Sequence, residues 1–526
     1  MTWTRQIGAR KQLFVDDYMV AETVHLSRTF HAAQKHPGNP ILRGENPWEF
    51  PFSASISCPK VIYDTGLSQY RMWYETFLFG KREYVCYATS QDGLEWECPN
   101  LGLVEFEGSR QNNIVSIEGT DFPQIPRALL YCPEMQGIEP EARLYKALQW
   151  LGDGGVGVYF SPDGLRWTAY EHNPVITGVG DTAKVCKFAP NYPMLDYNRE
   201  IFGDNPPRYL AFPKVSAKLA GKGRRSVGFS ACEVPIGYGA NQQQSFTTWT
   251  PPVLVLAPDY IDDAMGVERT AQAQAEGAVK FDHPEDHFTD FYGMEVLPYD
   301  GLYIGLLEVF DHTYDMRRVG AWNQHGIFEM QLTASRDLLH WQRVGDRQPL
   351  IPRGPGGAWD NCMILMASAV VTDEEIRFYY QGTSLAHSDR LGFDRVWTDE
   401  QARKTAAGER YPFSCVGLAT LRLDGFVSLD AADQPGMLLT PPLRFQAREL
   451  TINAAATGGA VAVEILTESG QPIEGFRRDD CDLFSGDSVR AVVRWRGNAD
   501  VSRLRGEPLR LRFHLNHAQL YAFQFV

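Results

Sequence analysis

Five carboxylates stand where the chain turns into apolar, aromatic-rich runs: Glu49, Asp121, Asp181, Asp290 and Asp360. Glu49 leads into residues 54–63, Asp181 into 183–188, Asp290 into 292–297 and Asp360 into 363–371. Asp121 lies well short of its run and reads as an ordinary turn residue. Turn chemistry would be served equally by Asn, Ser or Gly, yet the other four heads are all acids. Carboxylates that converge repel one another, and loss of solvent raises the pKa of at least one. One carboxylic acid to protonate a leaving oxygen, with one carboxylate to act as nucleophile or to activate water, is the pairing that cleaves a glycosidic bond. Glu49, Asp181, Asp290 and Asp360 are therefore the catalytic candidates. Clustered acids also hold calcium, but no Asp-x-Asp-x-Asp-Gly loop occurs, and neither a metal nor a cofactor is expected.

Sugar sites surround their acids with aromatic faces and planar hydrogen-bonding groups. Trp48, Tyr292 and Trp359 stand beside the acids, Arg127 precedes the second run, and His387 follows Tyr379-Tyr380-Gln381-Gly382-Thr383. These are the substrate-binding candidates, although each aromatic could equally serve packing between structural units.

The elements that would position them come from a repeat. Ser90-Gln91-Asp92-Gly93-Leu94-Glu95-Trp96 returns as Ser161-Pro162-Asp163-Gly164-Leu165-Arg166-Trp167, and as Ser335-Arg336-Asp337-Leu338-Leu339-His340-Trp341. Asp accepts hydrogen bonds from backbone N–H groups further along, Gly supplies a positive φ, and Trp resumes a buried strand, so each copy marks a β-hairpin. Val-, Ile-, Tyr-, Phe- and Trp-rich stretches between the copies predict an all-β fold of five four-stranded units, a five-bladed β-propeller over residues 1–430. In such a ring the heads of the inner strands face a central funnel. Leu13-Phe14-Val15 and Tyr18-Met19-Val20 could complete the last blade. Residues 217–225 read as a mobile hairpin, and the Ala/Gln/Glu-rich segment 262–289 as holding a short helix. Beyond Asp424-Gly425-Phe426 the pattern becomes strictly alternating, which predicts a β-sandwich over 431–526.

Composition narrows the partners. The 50 basic and 65 acidic side chains leave a net charge of −15 with no basic stripe, so nucleic acid is not an expected partner. No signal-like leader and no apolar run of membrane-spanning length is visible. The nine cysteines include no C-x-x-C and sit largely within strand patterns, as reduced core residues of a cytoplasmic protein would.

The segment His36-Pro37-Gly38-Asn39-Pro40-Ile41-Leu42, the unit from Pro59-Lys60-Val61-Ile62-Tyr63-Asp64 to Met72-Trp73-Tyr74, and the repeated hairpins resemble the five-bladed propeller glycoside hydrolases of the invertase and arabinanase group. The resemblance covers about residues 10 to 430, and an invertase-like C-terminal sandwich would account for the rest. It implies Glu49 as the first-blade nucleophile or base, Asp181 as the acid that orients substrate, and Asp290 as proton donor with Glu295 as substitute. The Asn-Asp-Pro-Asn-Gly and Arg-Asp-Pro signatures of invertases are absent, so the resemblance is to a distant member. The expected activity is exo-acting hydrolysis of short oligosaccharides or glycosides, furanosides included. Two alternatives stay open. A glycoside phosphorylase would need a cationic pocket, for which Arg224-Arg225 or Arg317-Arg318 are available. A carbohydrate-binding propeller would need no chemistry at all.

Overall fold

The Ser-x-Asp turns close as their chemistry dictates in the computed structural model, which describes residues 4–49, 55–77, 83–120, 123–188, 207–232, 245–320, 324–388 and 414–526. Ser161 Oγ accepts hydrogen bonds from the N–H groups of Asp163 (3.3 Å) and Gly164 (2.9 Å). Asp163 Oδ1 accepts from those of Leu165 (2.8 Å) and Arg166 (2.9 Å). Gly164 takes φ +78°. In the third copy Leu338 occupies this left-handed position at φ +69°, and its complete burial offsets the strain of a branched side chain there.

The turns also fasten one unit to the next. Trp73 Nε1 and Trp167 Nε1 both donate to the Gly164 carbonyl, at 2.7 and 2.9 Å, and Arg71 Nη2 donates to that of Asp163 at 2.8 Å. The first turn receives the same pair of contacts, from Tyr379 OH to the Gly93 carbonyl (3.1 Å) and from Arg377 Nη1 to that of Asp92 (2.5 Å). The first and second motifs thus each take an aromatic and an arginine from the middle strand of another unit.

The described residues are mostly strand, with one α-helix, Tyr260–Ala275. Antiparallel meanders follow one another along the chain. The first is Ser55–Asp64, Gln69–Phe77 and Tyr84–Ser90; the second runs from Leu129–Tyr131 through Tyr145–Trp150 and Val156–Ser161 to Arg166–Ala169. The third runs from Ala183–Lys187 through Tyr209–Leu219 and Lys222–Ala231 to Val253–Leu256. Phe288–Tyr299, Leu302–Asp315 and Gln324–Ser335 make the fourth, and Met363–Val371, Glu375–Thr383 and Ser414–Arg422 the fifth. The last two share a nine-stranded sheet through one parallel pairing, Phe328 with Met363. First strands of successive meanders lie side by side: Leu129–Tyr131 beside Ala183–Lys187, that strand beside Phe288–Tyr299, then Met363–Val371, which returns to Ser55–Asp64. The segment expected to be a mobile hairpin forms the paired tip of Tyr209–Leu219 and Lys222–Ala231.

The N-terminal segment departs from expectation. Gln34–Lys35, not Leu13-Phe14-Val15, pairs with the outer strand of the last meander. Arg5–Gln6, Gln12–Leu13, Glu22–Val24 and Ser27–Phe30 instead pair with strands of the C-terminal part, within one curled sheet of eleven strands. Alternation along this segment explains the choice: Leu13 and Val15 enter the core of the last two meanders, while Phe14 and Met19 enter that of the C-terminal sheet. By pairing, residues 5–30 and the strand Val427–Ala431 go with the C-terminal strands, whereas the expected division grouped residues 1–430 with the meanders. Asp424 ties the parts together, accepting from Lys11 Nζ (3.0 Å), Tyr299 OH (2.5 Å) and Asn453 Nδ2 (3.1 Å).

A Cβ on Gly164 would lie 2.7 Å from Trp73 Cζ2 as well as in the left-handed region, whereas Gly119, at φ +77°, has nothing within 4 Å. Chemical denaturation is expected to show Gly119→Ala losing about 1 kcal/mol from backbone strain alone, and Gly164→Ala losing clearly more because a fastening between meanders is pushed apart.

Candidate active site

The first strands of three meanders carry a β-bulge. Pairing slips between Ser57 and Lys60, between Phe291 and Gly293, and between Leu365 and Ser368, with Cys58 at φ +53° and Met366 at φ +50°. A bulge re-aims the side chains around it, and here it turns Tyr292 out of the ladder. Tyr292 packs against Phe328 (centroids 5.1 Å) and His387 (5.7 Å), and its ring carries Lys214 Nζ at 3.5 Å and the Arg225 guanidinium at 5.7 Å.

Around this ring, cations and carboxylates alternate. Asp181 Oδ1 accepts from Lys214 Nζ at 2.5 Å and keeps 40% of its side chain exposed. Burial raises the Asp181 pKa, but Lys214, with Arg127 and Arg225 beyond it, more than reverses this and holds it at about 2. Asp290 is almost fully enclosed. Its Oδ1 accepts from the Arg225 N–H (3.0 Å), and its Oδ2 from Arg225 Nη1 (2.9 Å) and His312 Nε2 (2.9 Å). Burial opposes ionisation there too, and these donors bring Asp290 below the usual carboxylate range. His312 itself is held neutral by burial. Arg224 Nη2 donates to Asp263 Oδ2 at 2.8 Å. Lys214, Arg224, Arg225, Asp290 and Gln324 line one pocket of about 470 Å³ with Gly178 and Phe288.

A second group adjoins the first through Arg127. Its guanidinium grips Glu75 with Nε (3.0 and 3.1 Å) and Nη2 (2.8 Å), and bears electrostatically on Asp181, Tyr292 and Glu83. Glu83 is only 7% exposed and, among the described residues, has no hydrogen-bond or ion-pair partner. Burial first, and repulsion from Glu75 second, push its pKa up to about 7 against the pull of Arg127. Deeper still, Lys184 Nζ lies 3.6 Å from Glu308, which also accepts from the Met366 N–H at the bulge.

Of the residues singled out in the sequence, Asp181, Asp290, Tyr292, Arg127 and His387 come together here. His387 Nδ1–H donates to the Gln324 carbonyl at 2.8 Å, which leaves Nε2 as an acceptor, and burial lowers its pKa to about 3. Glu295 lies further along the same strand as Asp290, locked to Lys60 Nζ at 2.5 Å. Glu49 is not brought to the group. Its Oε2 accepts from the N–H groups of Glu45 and Asn46, both at 2.8 Å, and its Oε1 from Tyr74 OH, so the carboxylate is consumed in closing a turn. Trp48 donates to Asn113 Oδ1 (2.7 Å) within the first meander. Asp360 is held inside the last meander by Lys35 (2.5 Å) and Tyr380 OH (3.0 Å), with Trp359 stacked on Tyr380. Asp121 lies outside the described residues. Sequence reasoning missed Glu75, Glu83, Lys214, His312 and Gln324 as site residues. A signal existed for Glu75 and Lys214, since a lone charge inside an aromatic strand, as in Met72-Trp73-Tyr74-Glu75 and Tyr209-Leu210-Ala211-Phe212-Pro213-Lys214, must be paired when buried.

No family model matches the chain, and no curated protein matches it. Its fold is similar to solved structures of glycoside hydrolases. A glycosyl hydrolase from Bacteroides ovatus is 10% identical, with 75% of this chain and 94% of that one covered at a TM-score of 0.41. The catalytic domain of the Coprinopsis cinerea GH62 α-L-arabinofuranosidase is 11% identical, with 76% and 97% covered at 0.35. An N-acetylgalactosamine deacetylase from F. plautii, solved with blood group B trisaccharide, is 15% identical, with 77% and 97% covered at 0.36. A fold does not name a reaction, which has to be argued from the side chains.

Glu83 provides a check on the electrostatics. A carboxyl whose pKa is raised from 4.5 to about 7 keeps its proton in the fold while the unfolded chain gives it up, so stability falls as pH rises through this window. Glu83→Gln removes that penalty. Thermal melts are expected to show the variant a few degrees more stable than wild type at pH 8 and indistinguishable from it at pH 4; a difference independent of pH would refute the assignment.

Proposed function

We propose that the five meanders are the blades of a five-bladed propeller, with the curled C-terminal sheet as an accessory β-sandwich, and that the chain is a glycoside hydrolase. The observation that carries this reading is the pair Asp181 and Asp290, two carboxylates kept ionised by Lys214 and Arg225, cations that share the face of Tyr292 and line one pocket with Asp290. A sugar presents hydroxyls that both donate and accept, and apolar C–H faces. Alternating Lys–Asp and Arg–Asp pairs around Tyr292 answer the first, and the ring answers the second. One ionised acid serves to activate water or attack the anomeric carbon, and the other to stabilise the positive charge that develops on the sugar ring. The resemblance carried by the hairpins and by His36-Pro37-Gly38-Asn39-Pro40-Ile41-Leu42 points the same way.

A pocket of about 470 Å³ lies in the lower half of the range for small-molecule sites, and that size suits a terminal sugar, furanosides included. The action proposed is therefore exo, on short oligosaccharides or glycosides. Charge balance favours water over phosphate as the acceptor. Lys214, Arg224 and Arg225 are each answered by an acid, Asp181, Asp263 and Asp290 respectively. Arg317 and Arg318 are turned to Asp315 and Asp286. The nine unpaired cysteines, eight of them buried, suit a reducing compartment, so the proposed location is cytoplasmic.

The test is a screen of aryl pyranosides and furanosides and of short oligosaccharides, followed by Asp181→Asn and Asp290→Asn on whichever substrate is cleaved. Each variant is expected to lose about 10²-fold or more in kcat, the scale of acid/base and nucleophilic participation. Full turnover in both variants would defeat the proposal, as would tight glycan binding by wild type with no cleavage.

A further inference from the structure

The reaction proposed above requires a proton donor, and the two acids that the resemblance offered for this role, Asp290 and Glu295, are each bound to a cation, as is Asp181. Asp290 is held ionised by Arg225 and His312, Glu295 is locked to Lys60, and Asp181 is bound to Lys214. A carboxylate hydrogen-bonded to a cation rests as an acceptor, suited to take up a proton during the reaction and not to supply the first one.

We propose that Glu83, a nearly buried carboxyl without a partner among the described residues and set beside the Glu75–Arg127 pair, is the catalytic acid of this site. The assignment rests on the hydrolase reading. Glu83 immediately precedes the strand Tyr84–Ser90, and Tyr84 pairs with Thr76, next to Glu75. The charged and titratable groups that bear on this corner are Glu75 on the middle strand, Arg127 on the turn Ile125–Ala128, and Cys58, whose thiol feels both, at the bulge of Ser55–Asp64. Arg127 bears on Asp181 as well, so one guanidinium is shared by a carboxyl that keeps its proton near neutrality and one that does not. Environments that drive two carboxyl groups apart in this way are how a single site assigns acid and base.

In the reaction, the Glu83 proton passes to the glycosidic oxygen as the bond from that oxygen to the anomeric carbon breaks, its electron pair going to oxygen. The leaving part departs as an alcohol. Water gives its hydroxyl to the anomeric carbon and its remaining proton to Asp181. Arg127 stabilises the Glu83 carboxylate left behind, and exchange with solvent restores both acids.

The dependence on leaving group separates a proton donor from a structural residue. A dinitrophenyl glycoside of the accepted sugar needs no proton to depart, whereas an alkyl glycoside does. Glu83→Gln is expected to lose about 10²-fold or more in kcat/KM on the alkyl glycoside and less than about 10-fold on the dinitrophenyl one. The wild-type rate on the alkyl glycoside is expected to fall above about pH 7, and the limb to vanish in the variant acting on the activated substrate. Glu83→Asp, which keeps the carboxyl and guards against a misfolded amide variant, is expected to retain the limb with an intermediate loss. Equal losses on both substrates, or a limb that survives in Glu83→Gln, would overturn the assignment and leave the hydrolase reading standing. Failure of wild type to cleave any glycoside would overturn both.

Discussion

The centre of this molecule is organised by one buried cation. Arg127 is delivered by the short 3-10 turn Ile125–Ala128, with Pro126 in its opening positions, and its guanidinium is taken up by Glu75 from the neighbouring meander. A charge withdrawn from water must be paired, and removing either partner leaves the other uncompensated in a low dielectric, so the two meanders are held in one relative position. The same charge reaches Asp181, Tyr292 and Glu83. Structural cohesion and the electrostatic asymmetry of the site therefore have a common source.

Around that cation, the inner strands abandon regular pairing. Bulges at Cys58, Tyr292 and Met366 interrupt ladders that would otherwise run unbroken, and each places a large side chain or a backbone amide toward the shared centre. The Met366 N–H that a regular ladder would have used goes to Glu308, and Tyr292 becomes the platform for Lys214. Regularity at the periphery, where the Ser-x-Asp turns fasten units together, and irregularity at the centre are complementary. The first fixes spacing so that the second can be specific.

The outer parts of this arrangement were legible because their chemistry is local. Ser, Asp, Gly and Trp in a seven-residue window suffice to close a hairpin, and the repeat announced the all-β architecture. Of the four acids expected at strand heads, Asp181 and Asp290 stand in one group, whereas Glu49 closes a turn and Asp360 pairs with a lysine inside its own unit, uses that a carboxylate beside a strand serves equally well. Glu75, Lys214 and His312 stand on second strands of their meanders and Glu83 at the entry to a third; a lone charge in an aromatic run marks Glu75 and Lys214 as needing a partner, but no such pattern marks His312 or Glu83. The N-terminal strands were beyond reach for another reason. Their partners lie four to five hundred residues away, and an alternating run does not name the edge it will join.

That long-range pairing bears on how the chain is made. Ser27–Phe30 pairs with Val427–Ala431, and Gln12–Leu13 with Ala518–Phe525. A ribosome adding about 5–20 residues per second would expose the leading strands on the order of 20 s or longer before their partners emerge. Throughout that interval the nascent segment presents unpaired strand edges and the side chains of Phe14 and Met19, the kind of surface that draws chaperones or other chains. Completion of the sheet must therefore wait for residues 518–525 to emerge, so that strands made late shelter strands made early.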